Sequence, residues 1–301
     1  MKRDASFRGR RALVTGGSSG IGRAIALALA RAGAHVAIVA RREGPLHATA
    51  EALRAAAPDA AQRFAAIASD VADEAQAARA VAQAASALGG LDLVVNNAGA
   101  ARALRFEDTP LAEFRRLLEV NFLGAVYVTR AALPHLGPGA CIANVSSLAG
   151  AIAIYGYAAY APSKFALTAF SEVLRQELRP RGITVSVLLP PDTDTPQLAA
   201  ENREKPPATR ALAGNVPVLA PEAVAAALLD GLARGRAVIV PGWRARATLW
   251  AARHFPGLAR RIVDREIARA AGREGAPARA PGAFPTPPSS SDEPEASSRL
   301  K

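Results

Sequence analysis

The sequence predicts an α/β domain in one piece, and three observations carry that expectation. Short apolar runs of strand length, at residues 11–14, 35–39, 63–68, 91–95, 141–145 and 183–189, recur between longer Ala-rich stretches of helical character. The first run leads into TGGSSGIG, residues 15–22, and then into a long segment of helical composition ending near Gly33. A chain of 301 residues, 50% of them hydrophobic, is long enough for one substantial core.

Composition narrows the class of partner and compartment. A formal net charge of +11 would ordinarily raise nucleic acid as a partner. Much of that charge is Arg spread through an Ala- and Arg-rich chain, with no zinc-ligand spacing and no aromatic-rich basic groove, so no nucleic acid is expected. The one cysteine, Cys141, falls in a core strand; a disulfide framework is excluded and a reducing compartment fits. There is no run of about 18 apolar residues to span a membrane. The basic N-terminus enters the first strand with no stretch resembling a signal peptide. A cytoplasmic protein is expected. His35, His47, His135 and His254 lack metal or triad spacing, and no metal is expected.

A strand followed by glycines and a helix start places backbone N–H groups and the positive helix end where a pyrophosphate can sit. In that loop Gly16 permits the turn, Gly20 close backbone approach and Gly22 tight packing of helix on strand; Ser18, Ser19 and Ile21 complete the candidate contacts. The second strand ends in Ala40-Arg41-Arg42. An NAD site would place an acidic side chain here for the ribose 2′-hydroxyl, whereas a 2′-phosphate calls for arginine, so Arg41 points to NADPH. A solvated loop charge is the other reading. Asp70, followed by Val71, ends the third strand at the edge that faces the ligand crevice of such a sheet. It can accept from an adenine amino group or cap the helix that follows. The fourth strand runs into Asn96, Asn97, Ala98 and Gly99, where Asn suits the turn and can bond backbone across strands. Asn121 interrupts an otherwise apolar helix expected over residues 111–136. With Gly124 it suggests a bulge able to hold a water near Lys164, or a satisfied core polar group.

Tyr160 and Lys164 stand four residues apart and share one helical face. A phenol of pKa about 10 is a poor acid or base at neutral pH, and a neighbouring ammonium is expected to bring it down. Tyr127, Tyr155 and Tyr157 have no such lysine. The chain holds Lys only at positions 2, 164, 205 and 301, so a lysine here is set apart from the Arg background. Ser147 follows the apolar run 141–145 and can be delivered to the same place.

In order and spacing, TGGSSGIG, NNAG, Asn121, Ser147, Tyr160 and Lys164 resemble the short-chain dehydrogenase/reductase family over residues from about 10 to 242. The resemblance implies a single Rossmann-type domain, a doubly wound parallel sheet of about seven strands with helices on both faces, ending in a strand at residues 237–240. It implies Tyr160 as general acid, Ser147 as the group orienting the carbonyl, Lys164 on the nicotinamide ribose and Asn121 holding a relay water. Thr195 falls where the family places a threonine on the cofactor carboxamide, while Pro190-Pro191 replaces the Pro-Gly of many members and stiffens that loop. VARRE, SSLAG, YGYAAYAPSKFAL and the segment 190–210 resemble the branch that reduces the 3-keto group of long-chain sphingoid bases. The substrate implied is 3-ketosphinganine, with Asp192, Asp194 and Glu201 as candidates for its ammonium by charge alone; Asp192 and Asp194 also suit turn formation. Reductases of other carbonyls, such as a 3-oxoacyl thioester or a steroid-like ketone, and a cofactor-binding regulator without turnover are the alternatives. The family implies a homo-oligomer.

Residues 243–273 form a basic amphipathic extension, with Trp243 and Trp250 beside Arg and an apolar stripe of Leu258, Ile262, Val263 and Ile267. It can lie peripherally on an anionic membrane, or pack on the domain or a partner subunit. Residues 274–301 are too poor in apolar side chains to fold and are expected to be disordered.

Overall fold

The computed structural model describes residues 6–213 and 216–274. Seven parallel strands form one sheet: β1 (Arg11–Thr15), β2 (His35–Ala40), β3 (Phe64–Ala68), β4 (Leu93–Asn96), β5 (Cys141–Val145), β6 (Thr184–Leu188) and β7 (Val238–Ile239). Their order is β3-β2-β1-β4-β5-β6-β7. The strands read as continuous apolar runs because helices cover both faces of the sheet. Along β1, Ala12 and Val14 enter one core with α1 (Gly20–Arg31), α2 (Glu43–Ala56) and α9 (Pro221–Ala233). Leu13 points the other way, into a second core with α3 (Glu74–Leu88), α5 (Gly124–Ala132) and α6 (Tyr160–Leu178). This is the doubly wound architecture that the resemblance implied. From β1 the chain builds outward in one direction through β2 and β3, and from β4 in the other. The loops after β1 and β4 therefore flank a crevice at the strand C-termini, where such sheets bind ligands.

The helix expected over 111–136 is not continuous. It divides into α4 (Leu111–Leu118), a π-helical turn at Glu119–Leu123, α5 and a 3₁₀ turn at Leu133–His135. Asn121 causes the break by turning inward, 1% exposed, to bond the backbone of Ala100. Gly124 permits it, since a Cβ there would come 3.1 Å from the Val71 carbonyl oxygen. Such one-turn π segments widen a helix locally without ending it.

After β6 come α7 (Pro196–Glu204) and α8 (Pro207–Ala213), and after β7 come α10 (Trp243–His254) and α11 (Pro256–Glu274). The C-terminal extension is thus two helices rather than one. Phe255 precedes Pro256 and leaves the helical region at φ −128° and ψ 57°, as the residue before proline must. α10 is anchored to the domain by Ala245 and Leu249, which join Leu148, Val187 and Leu189 in a small core. α11 packs on α8 and α10. Among the described residues no helix is long and apolar enough to cross a membrane. Residues 275–301, most of the tail expected to be disordered, lie outside the described residues.

Candidate active site

The glycine loop is shaped to receive a phosphate. Gly16 and Gly20 have φ of +66° and +51°, which only glycine adopts readily. A Cβ at Gly22 would run into the Gly16 carbonyl and the Asn97 side chain. Ser19, the residue before α1, is extended and makes no side-chain cap, so the first-turn N–H groups of α1 keep their bonding capacity. Thr15, a residue the sequence pattern did not single out, staples the two crevice loops: its Oγ1 accepts from the backbone N–H groups of Asn97 and Ala98, both at 3.0 Å. Asn97 returns a bond from Nδ2 to the Thr15 carbonyl at 3.0 Å. The amide of Asn97 thus serves the loop itself.

Arg41 and Asp70 face one another across the crevice rim at 3.8 Å. The open question about Asp70 is answered by its neighbour, because Asp73 caps α3 by accepting from the Gln76 N–H at 2.8 Å. Asp70 accepts only from the Ala72 N–H and stays beside Arg41 and Val71 on the crevice wall.

At the opposite end of the crevice Tyr160 opens α6 and Lys164 lies one turn on, its Nζ 5.9 Å from the phenol ring centre. The ammonium donates to the Val145 carbonyl at 3.0 Å. Ser147 follows β5 and begins a 3₁₀ turn, its Oγ accepting from the Ala149 N–H at 3.1 Å. Gly99 lets the parts converge, since a Cβ there would lie 3.0 Å from Asn121 Oδ1 and 3.3 Å from Lys164 Nζ. Asn121 accepts from the Ala100 N–H at 2.8 Å and donates to the Ala100 carbonyl and to Ser163 Oγ, both at 2.9 Å. Both its amide hydrogens are engaged, so it offers the Lys164 side only an acceptor.

The electrostatics correct one expectation. Lys164 was expected to depress the Tyr160 phenol, but burial dominates and holds that phenol above its ordinary value. The charges of Glu201 and Asp192 push the same way, and the Ser147 hydroxyl pulls back. Burial also lowers Lys164, to about 8. The phenol is therefore set to hold its proton, and the ammonium remains mostly charged at neutral pH.

A family model for short chain dehydrogenases matches residues 10–206. The chain belongs to the short-chain dehydrogenase family. A 3-dehydrosphinganine reductase from Danio rerio is 40% identical over 232 residues, 76% of this chain and 70% of that one. Among solved structures, a short chain dehydrogenase from Burkholderia cenocepacia J2315 in complex with NADP has a TM-score of 0.70 at 35% identity, covering 80% of this chain and 99% of that one. A short chain dehydrogenase/reductase from Burkholderia phymatum in complex with NAD has a TM-score of 0.73 at 25% identity, covering 84% and 96%.

In this short-chain dehydrogenase one cleft of about 710 Å³ runs from the glycine loop past Ser147, Tyr160 and Lys164 to the hairpin of α10 and α11. Its far wall is apolar, with Ile152, Leu212, Phe255, Leu258 and Ile262. Pro190 accepts from the Leu148 N–H at 2.9 Å and lines the cleft midway. Thr195 lies opposite Gly20 and caps α7, accepting from the Leu198 N–H and donating to the Thr193 carbonyl, both at 3.2 Å.

Behind Tyr160 lies a polar cluster that sequence reasoning undervalued. Tyr157, set aside for lacking a lysine partner, is 6% exposed and places its ring 5.3 Å from that of Tyr160. Its hydroxyl donates to Glu201 Oε2 at 2.8 Å. Lys205 is 2% exposed and pairs with Asp192 at 3.1 Å. The signal was available: Lys205 is as unusual in this Arg-rich chain as Lys164.

Proposed function

We propose that this chain is an NADPH-dependent reductase of 3-ketosphinganine, yielding sphinganine, and that it works at the cytoplasmic face of a membrane. The observation that carries this reading is the continuity of the cleft, which joins the Ser147, Tyr160 and Lys164 cluster to an apolar groove suited to an alkyl chain. The name of the Danio rerio relative supports the same substrate. Arg41, at the opposite end of the cleft, suits a 2′-phosphate.

The glycine loop and the α1 N-terminus would hold the dinucleotide pyrophosphate, with Ser18, Ser19 and Ile21 around it. Asp70 and Val71 would flank the adenine, Asn97, Ala98 and Gly99 the ribose, and Pro190 and Thr195 the carboxamide end. The bound nicotinamide supplies hydride to the carbonyl carbon. As negative charge gathers on the carbonyl oxygen, the Ser147 hydroxyl and the Tyr160 phenol donate to it, and Tyr160 gives up its proton. Lys164 steadies the phenolate left behind, and Asn121 Oδ1 holds the water that resupplies the proton.

Exposed Leu111, Leu118, Phe165 and Val173 on α4 and α6 offer a face for a second copy of the chain, and a homo-oligomer is part of this proposal. The test is cofactor consumption by purified protein with 3-ketosphinganine in detergent, run with NADPH, with NADH and beside a short 3-oxoacyl thioester. Turnover of the sphingoid ketone, at least about tenfold faster with NADPH, is expected; turnover of the thioester alone would assign another substrate. Tyr160→Phe should keep NADPH affinity while losing about 10²- to 10⁴-fold in turnover. A comparable rate in the variant would remove Tyr160 from the acid role.

A further inference from the structure

The cleft wall beside Tyr160 carries a carboxylate that, among the described residues, has no ion pair within 4.0 Å. Four acidic side chains lie in the segment 190–210 after β6, and Glu204 is paired with Arg102 at 2.9 Å. Asp194 is exposed and off the cleft wall. Asp192 is held by the buried ammonium of Lys205 at 3.1 Å. Glu201 is 9% exposed and lines the cleft. Its oxygens receive two neutral donors, the Tyr157 hydroxyl at 2.8 Å and Gln197 Nε2 at 3.3 Å. None of the ion pairs within 4.0 Å among the described residues involves it. Burying a carboxylate in this way is costly until a cation arrives.

We infer that Glu201 is the seat for the ammonium of an α-amino ketone, holding the amine beside Tyr160 while the alkyl tail follows the groove toward α10 and α11. The inference rests on the reductase reading and deepens it. In such a substrate the amine sits on the carbon next to the carbonyl, so its seat must lie a few ångströms from the acid. Tyr157 links the two groups, since its hydroxyl bonds Glu201 and its ring packs at 5.3 Å on the ring of Tyr160. Electrostatics reinforce the placement. The Glu201 charge is one of the influences holding the phenol proton in place, so a cation bound there cancels it and eases proton release to the neighbouring carbonyl. Lys205, engaged by Asp192, leaves the seat available.

The test compares 3-ketosphinganine with the same ketone lacking the amino group, in wild type and in Glu201→Gln, with NADPH saturating. Gln keeps the volume and an acceptor for Tyr157 and removes the charge. Wild type is expected to prefer the amino ketone by about 30-fold or more in kcat/KM, chiefly through KM, as removal of one partner of a buried charge pair implies. Glu201→Gln should bring the preference to within about threefold while binding NADPH as tightly as wild type. Reduction of both ketones with the same preference in both proteins overturns the role of Glu201 and leaves the reductase reading standing. Reduction of neither ketone by wild type overturns both. An independent measurement needs no variant: a long-chain primary ammonium should inhibit wild type about tenfold more strongly than the alcohol of equal length, and equal inhibition overturns the inference.

Discussion

Lys164 is a buried cation, and its burial has a sign that can be tested. Folding carries its pKa below the ordinary lysine value of 10.5, to about 8, so the unfolded chain binds that proton more tightly than the folded one. The resulting penalty is full below about pH 8 and is relieved as pH rises from there toward 10.5. Lys164→Met should therefore raise the stability of the cofactor-free protein at pH 7 by on the order of 1–2 kcal/mol, after the lost bond to the Val145 carbonyl is allowed for. That gain should shrink in melts at pH 9.5, and turnover should be lost. A variant no more stable than wild type at pH 7 would remove the burial argument. At this scale the sequence disclosed most of what matters. Ser147, Tyr160 and Lys164 line the same cleft as the glycine loop, and their roles there rest on the proposal above. The Tyr157–Glu201 bond did not show, because its partners are 44 positions apart and neither stands in a short motif. The wrong expectation for the Tyr160 pKa has the same root, since spacing reveals a neighbouring charge but not the depth of burial around it.

Among the elements, α10 decides how deep the cleft is. It is held by few buried side chains, and Leu249 is 6% exposed against Leu148, Val187 and Leu189. Leu249→Ala should cost about 2–3 kcal/mol if the site relaxes only partly. Because the α10 and α11 hairpin lines the outer cleft, the same variant should raise KM for a long-chain ketone and leave a short-chain ketone unaffected. Denaturant titration and paired kinetics check both halves; equal effects on the two ketones would detach α10 from tail binding. The break between α10 and α11 at Pro256 went unread in a segment expected to be one amphipathic extension, and the hydrophobic stripe alone could not say whether it faces the domain or solvent. It does both: Val263 and Ile267 are half-buried, and Leu258 and Ile262 are exposed. Likewise six of the seven strands were legible as apolar runs and the seventh through the family resemblance, whereas their spatial order is a property of pairings that no single run encodes.

For the whole molecule, charge and exposed apolar surface coincide at one end. Trp243, Trp250, Phe255, Leu258 and Ile262 are all at least half exposed, beside the exposed Arg244, Arg246, Arg253, Arg260 and Arg261. Interfacial aromatics beside cations suit an anionic bilayer. Replacing Trp243 and Trp250 by Ser should weaken binding to anionic vesicles by about tenfold or more, and added salt should weaken wild-type binding. Vesicle co-sedimentation decides it, and undiminished binding by the variant would end the membrane reading. Three of these side chains, Phe255, Leu258 and Ile262, also line the cleft. A long-chain product leaving into water would expose its tail at about 0.8 kcal/mol per methylene, so ten methylenes would slow departure by roughly six decades. A mouth that meets a bilayer removes that barrier, because the tail passes from groove to lipid without ever being wetted.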